Sequence, residues 1–382
     1  MIHKKSKVII LIIVIAIRSF CEIIETAHRE SIIYQTKRFE ETLERSNAFL
    51  EDSTLDIFFT SVINQLTDTV GPDNKSIRIR VLKSSTFNAF AAPHGTIYLC
   101  TGLLARIENR SQVAALLAHE MTHIINDHTY QNLVAIKKKA LTSANMQFGL
   151  EWLIGSMASS SISNLTLKSA ITGYSRDLER EADSAGLFRM KKGSYPTIEF
   201  LNLFTILKTY IEQYNISEPY FFATHPAIEE RIENYYTLTK ADSSATINNQ
   251  TSELNFDSVL KNVLIFDGAM KIASGDLQTA EENFSRVLKI DSTNAEALCH
   301  LGTITRLRSG CEFNEYVVKW YQRSMNFSAT PLGSQACCDL GIYYYKTGRN
   351  DSAYVYLNSF LNNNQTSPWL PIVTDYLTKC KK

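Results

Sequence analysis

The stretch LLAHEMTHIINDH (116–128) sets two histidines and a glutamate among aliphatic residues. An α-helix turns about 100° per residue, so His119 and His123, at i and i+4, project from one face. Two imidazoles one turn apart can hold a single Zn²⁺ at about 2.0–2.1 Å. Glu120 stands roughly 100° around the helix from His119, beside such an ion rather than on it. A general base must stand there to take a proton from an activated water. Leu116, Leu117, Ile124 and Ile125 make the rest of the segment apolar, which predicts a buried helix. The bland alternative is a core helix whose histidines are merely hydrogen-bonded. A catalytic zinc needs three protein ligands and an open fourth position, so the choice rests on a third ligand.

His128 does not supply it. It lies five positions past His123, which turns it about 140° off the shared face, and the metzincin position is Thr129. The second charged helix, YSRDLEREADSAG (174–186), is the better source. Glu179 and Asp183 are spaced i, i+4 and share a face, with Arg176 adjoining. One carboxylate can bind zinc while the other accepts a hydrogen bond from the far nitrogen of a bound histidine. Glu181 competes as a ligand but points to another side.

The rest of the chain sets the frame. At 382 residues it is long enough for two domains, and Lys+Arg and Asp+Glu both number 39, so no basic excess argues for nucleic acid. Hydrophobic residues at 45% suit a globular protein. The N-terminus, MIHKKSKVIILIIVIAIRSFC (1–21), sets lysines before a run too short to span a bilayer but suited to an export signal. Cleavage, lipidation at Cys21 and a retained membrane anchor all stay open. Exported cysteines in the last third (Cys299, Cys311, Cys337, Cys338, Cys380) could form one or two disulfides.

Helical periodicity covers 25–70, SIRIRVL (76–82) alternates as a strand does, and FNAFAAPHGTIYLCTGLL (87–104) holds two short strands around Pro93-His94-Gly95. Ser111 is the expected N-cap of the histidine helix. Residues 141–172 are apolar and poor in charge, fitting core, lid or contact surface. The polar stretch 240–255 predicts a linker between a domain over 22–239 and another over 256–382. In the latter, MKIASGDLQTAEENFSRVLKID (270–291) recurs in outline as IYYYKTGRNDSAYVYLNSFL (342–361). Gly275, Gly310 and Gly348 recur at steps of 35 and 38 residues, close to the tetratricopeptide period of about 34, and Ala280 matches Ala353. Such small residues are expected to let paired helices approach.

Four motifs in order, NAFAAPHGTIYLCTGLL, HEMTH, SRDLEREAD and THPAIEERI, resemble the HtpX/CAAX-prenyl-protease-like zinc metallopeptidases (clan MA, family number 48), especially their exported, repeat-bearing bacterial branch. The resemblance covers about residues 50–238. It implies an α+β, mainly helical zincin-type domain with a small sheet, followed by an all-α tetratricopeptide-like domain. It implies one Zn²⁺ per chain held by His119, His123 and Glu179, with Glu120 activating water and Asp183 and Arg176 behind the ligands. Asn88, Ala89, Phe90 and Ala91 would form an edge strand that takes up an extended polypeptide substrate. The family's loop at THPAIEERI brings His225 near the metal, with Arg231 six residues on, and both are expected to act in catalysis. His94 stands where glycine is usual and is expected to narrow the cleft.

The expected protein is an exported zinc endopeptidase of the periplasm or cell envelope. It acts on exposed or misfolded polypeptides, with residues 256–382 engaging a client or envelope partner. A second reading keeps the metal site latent, with His225 in the water position and the repeats acting as a chaperone-like scaffold.

Overall fold

The computed structural model describes residues 29–67, 77–132, 134–135, 174–213, 228–240, 256–328, 335–364 and 366–380. The signal segment, the apolar stretch 141–172, His225 and all but the first residue of the 240–255 linker lie outside them. The chain forms two compact units, Met1–Leu82 with Thr86–Asn249, and Lys83–Ser85 with Gln250–Lys382. Among the described residues no helix is long and apolar enough to cross a membrane.

In the first unit the helical periodicity of 25–70 is realised as two helices among the described residues. Helix α1 (29–45) and α2 (Ser53–Thr67) are separated where Asn47 takes φ 54° and Phe49 bridges Leu82. Asparagine tolerates this left-handed backbone better than most residues, so the break is local. Strands β1 (Arg78–Leu82), β2 (Ala89–Ala91) and β3 (Thr96–Cys100) form a sheet of order β1-β3-β2. β2 and β3 pair antiparallel with Phe90 opposite Tyr98, and Gly95, at φ 101°, closes their turn. β1 pairs with β3 in parallel, Arg80 opposite Tyr98, an arrangement that alternation alone does not reveal.

A short helix α3 (Thr101–Leu104) leads to α4 (Arg110–Ile125), the histidine helix. Its N-cap is Asn109 rather than Ser111, the Asn109 side chain accepting from the Gln112 N–H at 2.9 Å. Helix α4 is buried on nearly all sides and packs against α2, β2, β3, α5 (Arg176–Lys192) and α6 (Ile198–Gln213). α7 (Ile228–Lys240) closes against α6, with Tyr235 stacked on Phe200 and Phe204.

The second unit is all helical: a short α8 (Phe256–Val259), then α9 (Lys261–Ser274), α10 (Leu277–Ile290), α11 (Ala295–Arg308), α12 (Glu315–Phe327), α13 (Gln335–Lys346), α14 (Asn350–Asn363) and α15 (Leu370–Cys380). Helices α9–α10, α11–α12 and α13–α14 pack as successive pairs. The recurring glycines do a different job from the one expected. Gly275, Gly310 and Gly348 have φ of 84°, 71° and 74° and open space where a Cβ would stand, so they make the left-handed turn after a helix. Close approach belongs to a second series, Gly268, Gly302 and Gly341. A Cβ there would come within 2.7 Å of Phe284, Tyr321 and Leu357 on the paired helix. Among the described residues no disulfide joins the six cysteines, and burial pushes the Cys337 and Cys338 thiols up to about 12.

Candidate metal centre

The face of α4 predicted to carry the site meets the first turn of α5. Ser175 caps α5, and Gly186 lets the two helices approach: a Cβ there would lie 2.9 Å from Phe200 and 3.3 Å from the His119 backbone nitrogen. Arg189 fixes the same contact by donating to Thr122 Oγ1 at 2.5 Å. Glu179 is thereby brought to both histidines, its Oε2 3.5 Å from His119 Nε2 and its Oε1 3.6 Å from His123 Nε2. The two Nε2 atoms are 3.1 Å apart.

These spacings test whether a metal fits. Ligand atoms about 2.05 Å from a tetrahedral ion stand about 3.3 Å from one another. One ligand atom from each of the three residues lies within 4.8 Å of the others, and each imidazole Nε2 has its own Glu179 oxygen at 3.5 or 3.6 Å. Two neutral Nε2 lone pairs facing each other repel unless a proton or cation lies between them. The charge balance agrees. Burial and Arg231 push the His119 imidazole down, but hydrogen bonds to Asp183 and Glu179 and the Glu179 charge outweigh them and raise it to about 9. The carboxylates therefore demand positive charge at this point. Two imidazoles and one carboxylate suit a single divalent ion such as Zn²⁺.

Asp183 Oδ1 lies 3.1 Å from His119 Nδ1, so the far nitrogen of that ring has a carboxylate to donate to. Arg231 on α7 lies behind both acids. Its Nε and Nη2 donate to Asp183 at 2.9 and 2.6 Å, and its Nη1 is 3.0 Å from Glu179 Oε2. Despite its burial, Asp183 is held below the usual carboxylate range by Arg231 and His119. Arg231 is itself only 2% exposed, with its guanidinium over Phe204. Engaged with both acids, Arg231 holds them in position. Arg176 does not adjoin the site: its side chain is 70% exposed and 3.7 Å from Glu230. At i−3 from Glu179, in the first turn of α5, it faces solvent, and α7 supplies the buried cation instead.

Glu120 is fully buried on α4, next in sequence to His119. The neighbouring strand β2 is at a sheet edge, with β3 as its only strand neighbour among the described residues. Asn88, Ala89, Phe90 and Ala91 are all buried, and Phe90 stacks on Tyr98 at 4.9 Å. His94 does not narrow a cleft. Its Nδ1 is 2.9 Å from Thr36 Oγ1 and its Nε2 2.7 Å from Glu40 Oε2, so it fastens the β2–β3 turn to α1.

Two further residues, not assigned to the site from the sequence, touch His123. Tyr174 stacks on the His123 ring at 3.9 Å and 10°. His128 is buried with its Nδ1 2.9 Å from His123 Nδ1. The helical projection fails for His128 because α4 ends at Asn126 and Asp127 takes φ 53°, turning the chain back. The Asn-Asp pair was the available hint, since both residues tolerate that conformation. Glu181, the rival ligand, instead accepts from Asn126 Nδ2 at 2.5 Å and lies 3.6 Å from His128 Nε2.

A buried histidine pair on one helix, joined by a glutamate from another, defines the zincin-like class of metallopeptidase site. The comparisons with known proteins narrow the class: the profile of peptidase family M48 matches residues 58–238, which carry this site. The chain is 30% identical over 151 residues to the mitochondrial metalloendopeptidase OMA1 of Saccharomyces cerevisiae, covering 38% of this chain and 42% of that protein. It is 23% identical over 195 residues to a putative beta-barrel assembly-enhancing protease of Vibrio cholerae (50% and 40% covered). It is 27% identical over 184 residues to the metalloprotease LoiP of Escherichia coli (48% and 70% covered). The chain thus spans about two fifths of the length of the first two relatives.

Proposed function

We propose that the protein is a zinc-dependent endopeptidase of the cell envelope that cleaves exposed or misfolded polypeptides. The observation that carries this is the convergence of His119, His123 and Glu179, one ligand atom from each within 4.8 Å of the others, on a helix that also carries the buried Glu120. His119, His123 and Glu179 would hold the ion, which when bound supplies Lewis acidity toward the peptide carbonyl and toward water. Glu120 takes the proton of the attacking water as oxygen adds to the carbonyl carbon. It then delivers that proton to the leaving nitrogen as the C–N bond breaks. Asp183 keeps the proton of His119 on Nδ1, leaving Nε2 free as a ligand, and Arg231 holds Asp183 and Glu179 in register. Strand β2 offers its edge to an extended substrate by backbone hydrogen bonds. His225, on the segment before α7, is assigned to the same site through the family motif alone.

The name of the Vibrio cholerae relative, a putative beta-barrel assembly-enhancing protease, and the N-terminal signal pattern support an exported protein of the periplasm or envelope, associated with the membrane through residues 1–21 if that segment is retained. The paired helices and turn glycines of 256–382 support a tetratricopeptide-like domain for client or partner binding. The Glu120→Gln variant is expected to retain zinc and lose about 10²–10⁴-fold in cleavage of an unfolded polypeptide. Undiminished cleavage refutes the assignment of Glu120. The burial of His119, Glu120, His123 and Glu179, each at most 1% exposed, favours the second reading of a latent site with a scaffold role. Client binding by the full chain, with no chelator-sensitive cleavage, would select it.

A further inference from the structure

We propose that His128 is a positioning residue for the metal centre: its Nδ1 accepts the Nδ1–H of His123 and so holds that ring with its Nε2 lone pair on Glu179 and His119. The inference rests on the metallopeptidase reading above. It begins from proton bookkeeping on two neutral rings 2.9 Å apart at their Nδ1 atoms. His123 Nε2 faces Glu179 and His119, so a neutral His123 that offers this nitrogen to an ion carries its hydrogen on Nδ1. The atom opposite must then accept, which places the His128 hydrogen on Nε2. That nitrogen lies 3.6 Å from Glu181 Oε2, a carboxylate half exposed to solvent and anchored by Asn126. The His123–His128 pair therefore has a single consistent direction of donation, from the site outward, and the Glu181 charge lies on the side to which the outer N–H points.

The seat of His128 is fixed from several sides, which a stray core histidine does not need. Asp127 adopts a left-handed backbone, which aspartate tolerates and which turns the chain so that His128 meets His123. Arg29 on α1 pairs with Asp127 and lies 4.3 Å over the Tyr130 ring. Thr129 Oγ1 is 3.0 Å from Tyr174 OH, and Tyr174 covers the face of His123. The two histidines are thus oriented by different chemistries: His119 by an arginine-held carboxylate, His123 by an imidazole and a stacked phenol.

The test uses the full chain loaded with Zn²⁺ or Co²⁺. Metal affinity is measured by competition with a chromophoric chelator, and coordination by the visible bands of the Co²⁺ form. His128→Ala and His128→Leu, the second keeping volume without an acceptor, are expected to lose about 10–100-fold in affinity and to shift the Co²⁺ bands. In His128→Asn the amide oxygen stands where Nδ1 was, so affinity and spectrum should stay near wild type although the Nε2–H that faces Glu181 is gone. Wild-type affinity in both Ala and Leu variants overturns the proposal, as does an Asn variant as weak as Ala. A wild-type chain that binds neither ion removes the metallopeptidase reading together with this inference. Binding by wild type with unchanged Ala and Leu variants removes the inference alone.

Discussion

The α4–α5 contact in the first unit and the helix pairs of the second both depend on a glycine at the point of closest approach, yet they bury opposite things. Gly186 brings α5 against the backbone of His119, and what closes around it is charge: Glu179, Asp183, Arg231 and two imidazoles. Gly268, Gly302 and Gly341 each receive an apolar or aromatic side chain. Close packing without charge is stable by itself, because dispersion and desolvation act in the same direction. Close packing around charge is costly unless every ion finds a partner. An assembly of acids, one arginine and two ligand-spaced imidazoles is therefore better explained as a cation site than as a stabilising device.

The difference should be largest when the buried cation is removed. Arg231→Met strips Asp183 and Glu179 of their protein counter-charge and should cost about 3–5 kcal/mol in urea unfolding with a chelator present. Added Zn²⁺ should recover part of the loss, since the ion supplies positive charge to Glu179. A loss below about 1 kcal/mol would mean the acids are solvated in the folded chain, and the contrast between the units would fail.

In the second unit the matching probe is Gly302→Ala. Its Cβ would stand 2.7 Å from the ring of the fully buried Tyr321. The overpacking cost of about 1–3 kcal/mol should outweigh the gain of about 1 kcal/mol from replacing a helical glycine. Unfolding monitored on the second unit should show the loss, with no sensitivity to zinc. A more stable variant would show that the helices part easily and that the glycine series is incidental.

The smallest effect sharpens the comparison inside the first unit. Glu40 is also a buried acid, but protein groups satisfy it fully: His94, Tyr98, Thr96 and Arg78 surround it. Burial raises its carboxyl, yet the His94, Tyr98 and Thr96 hydrogen bonds and the Arg78 charge together hold it at about 2, against an ordinary 4.5. A depressed folded value gives stability that is present above pH 4.5 and fades as pH falls toward 2. Thermal melts of wild type and Glu40→Gln between about pH 5 and 2.5 should show a steep acid limb in the first and a shallower one in the second. Parallel limbs would remove Glu40 from the account.

How much was legible beforehand follows the range of each interaction. The i, i+4 spacing of His119 and His123, the strand alternation of 76–82 and the turn around Gly95 are local, and each appears where the residues foretold. The N-cap was misplaced by two residues because asparagine and serine compete for the same role within one turn. Arg176 was expected at the site because it shares the α5 face by spacing. Spacing says which residues share a face, not which end of that face a neighbouring helix covers. His94 was read against a family pattern, and its true partners lie on α1, more than fifty positions earlier in the chain.

The sequence by itself determined that His119 and His123 share a direction, because helical geometry converts a four-residue interval into a common face; between Glu179 and Asp183 spacing alone does not choose. Only the tertiary structure decided what stands behind the donors. Asp183 reaches His119, Arg231 closes on both acids, and His128 returns to His123 after the chain reverses at Asp127. Those contacts depend on how helices dock and on one left-handed residue. Docking is set by the complementarity of whole surfaces, which no short motif contains.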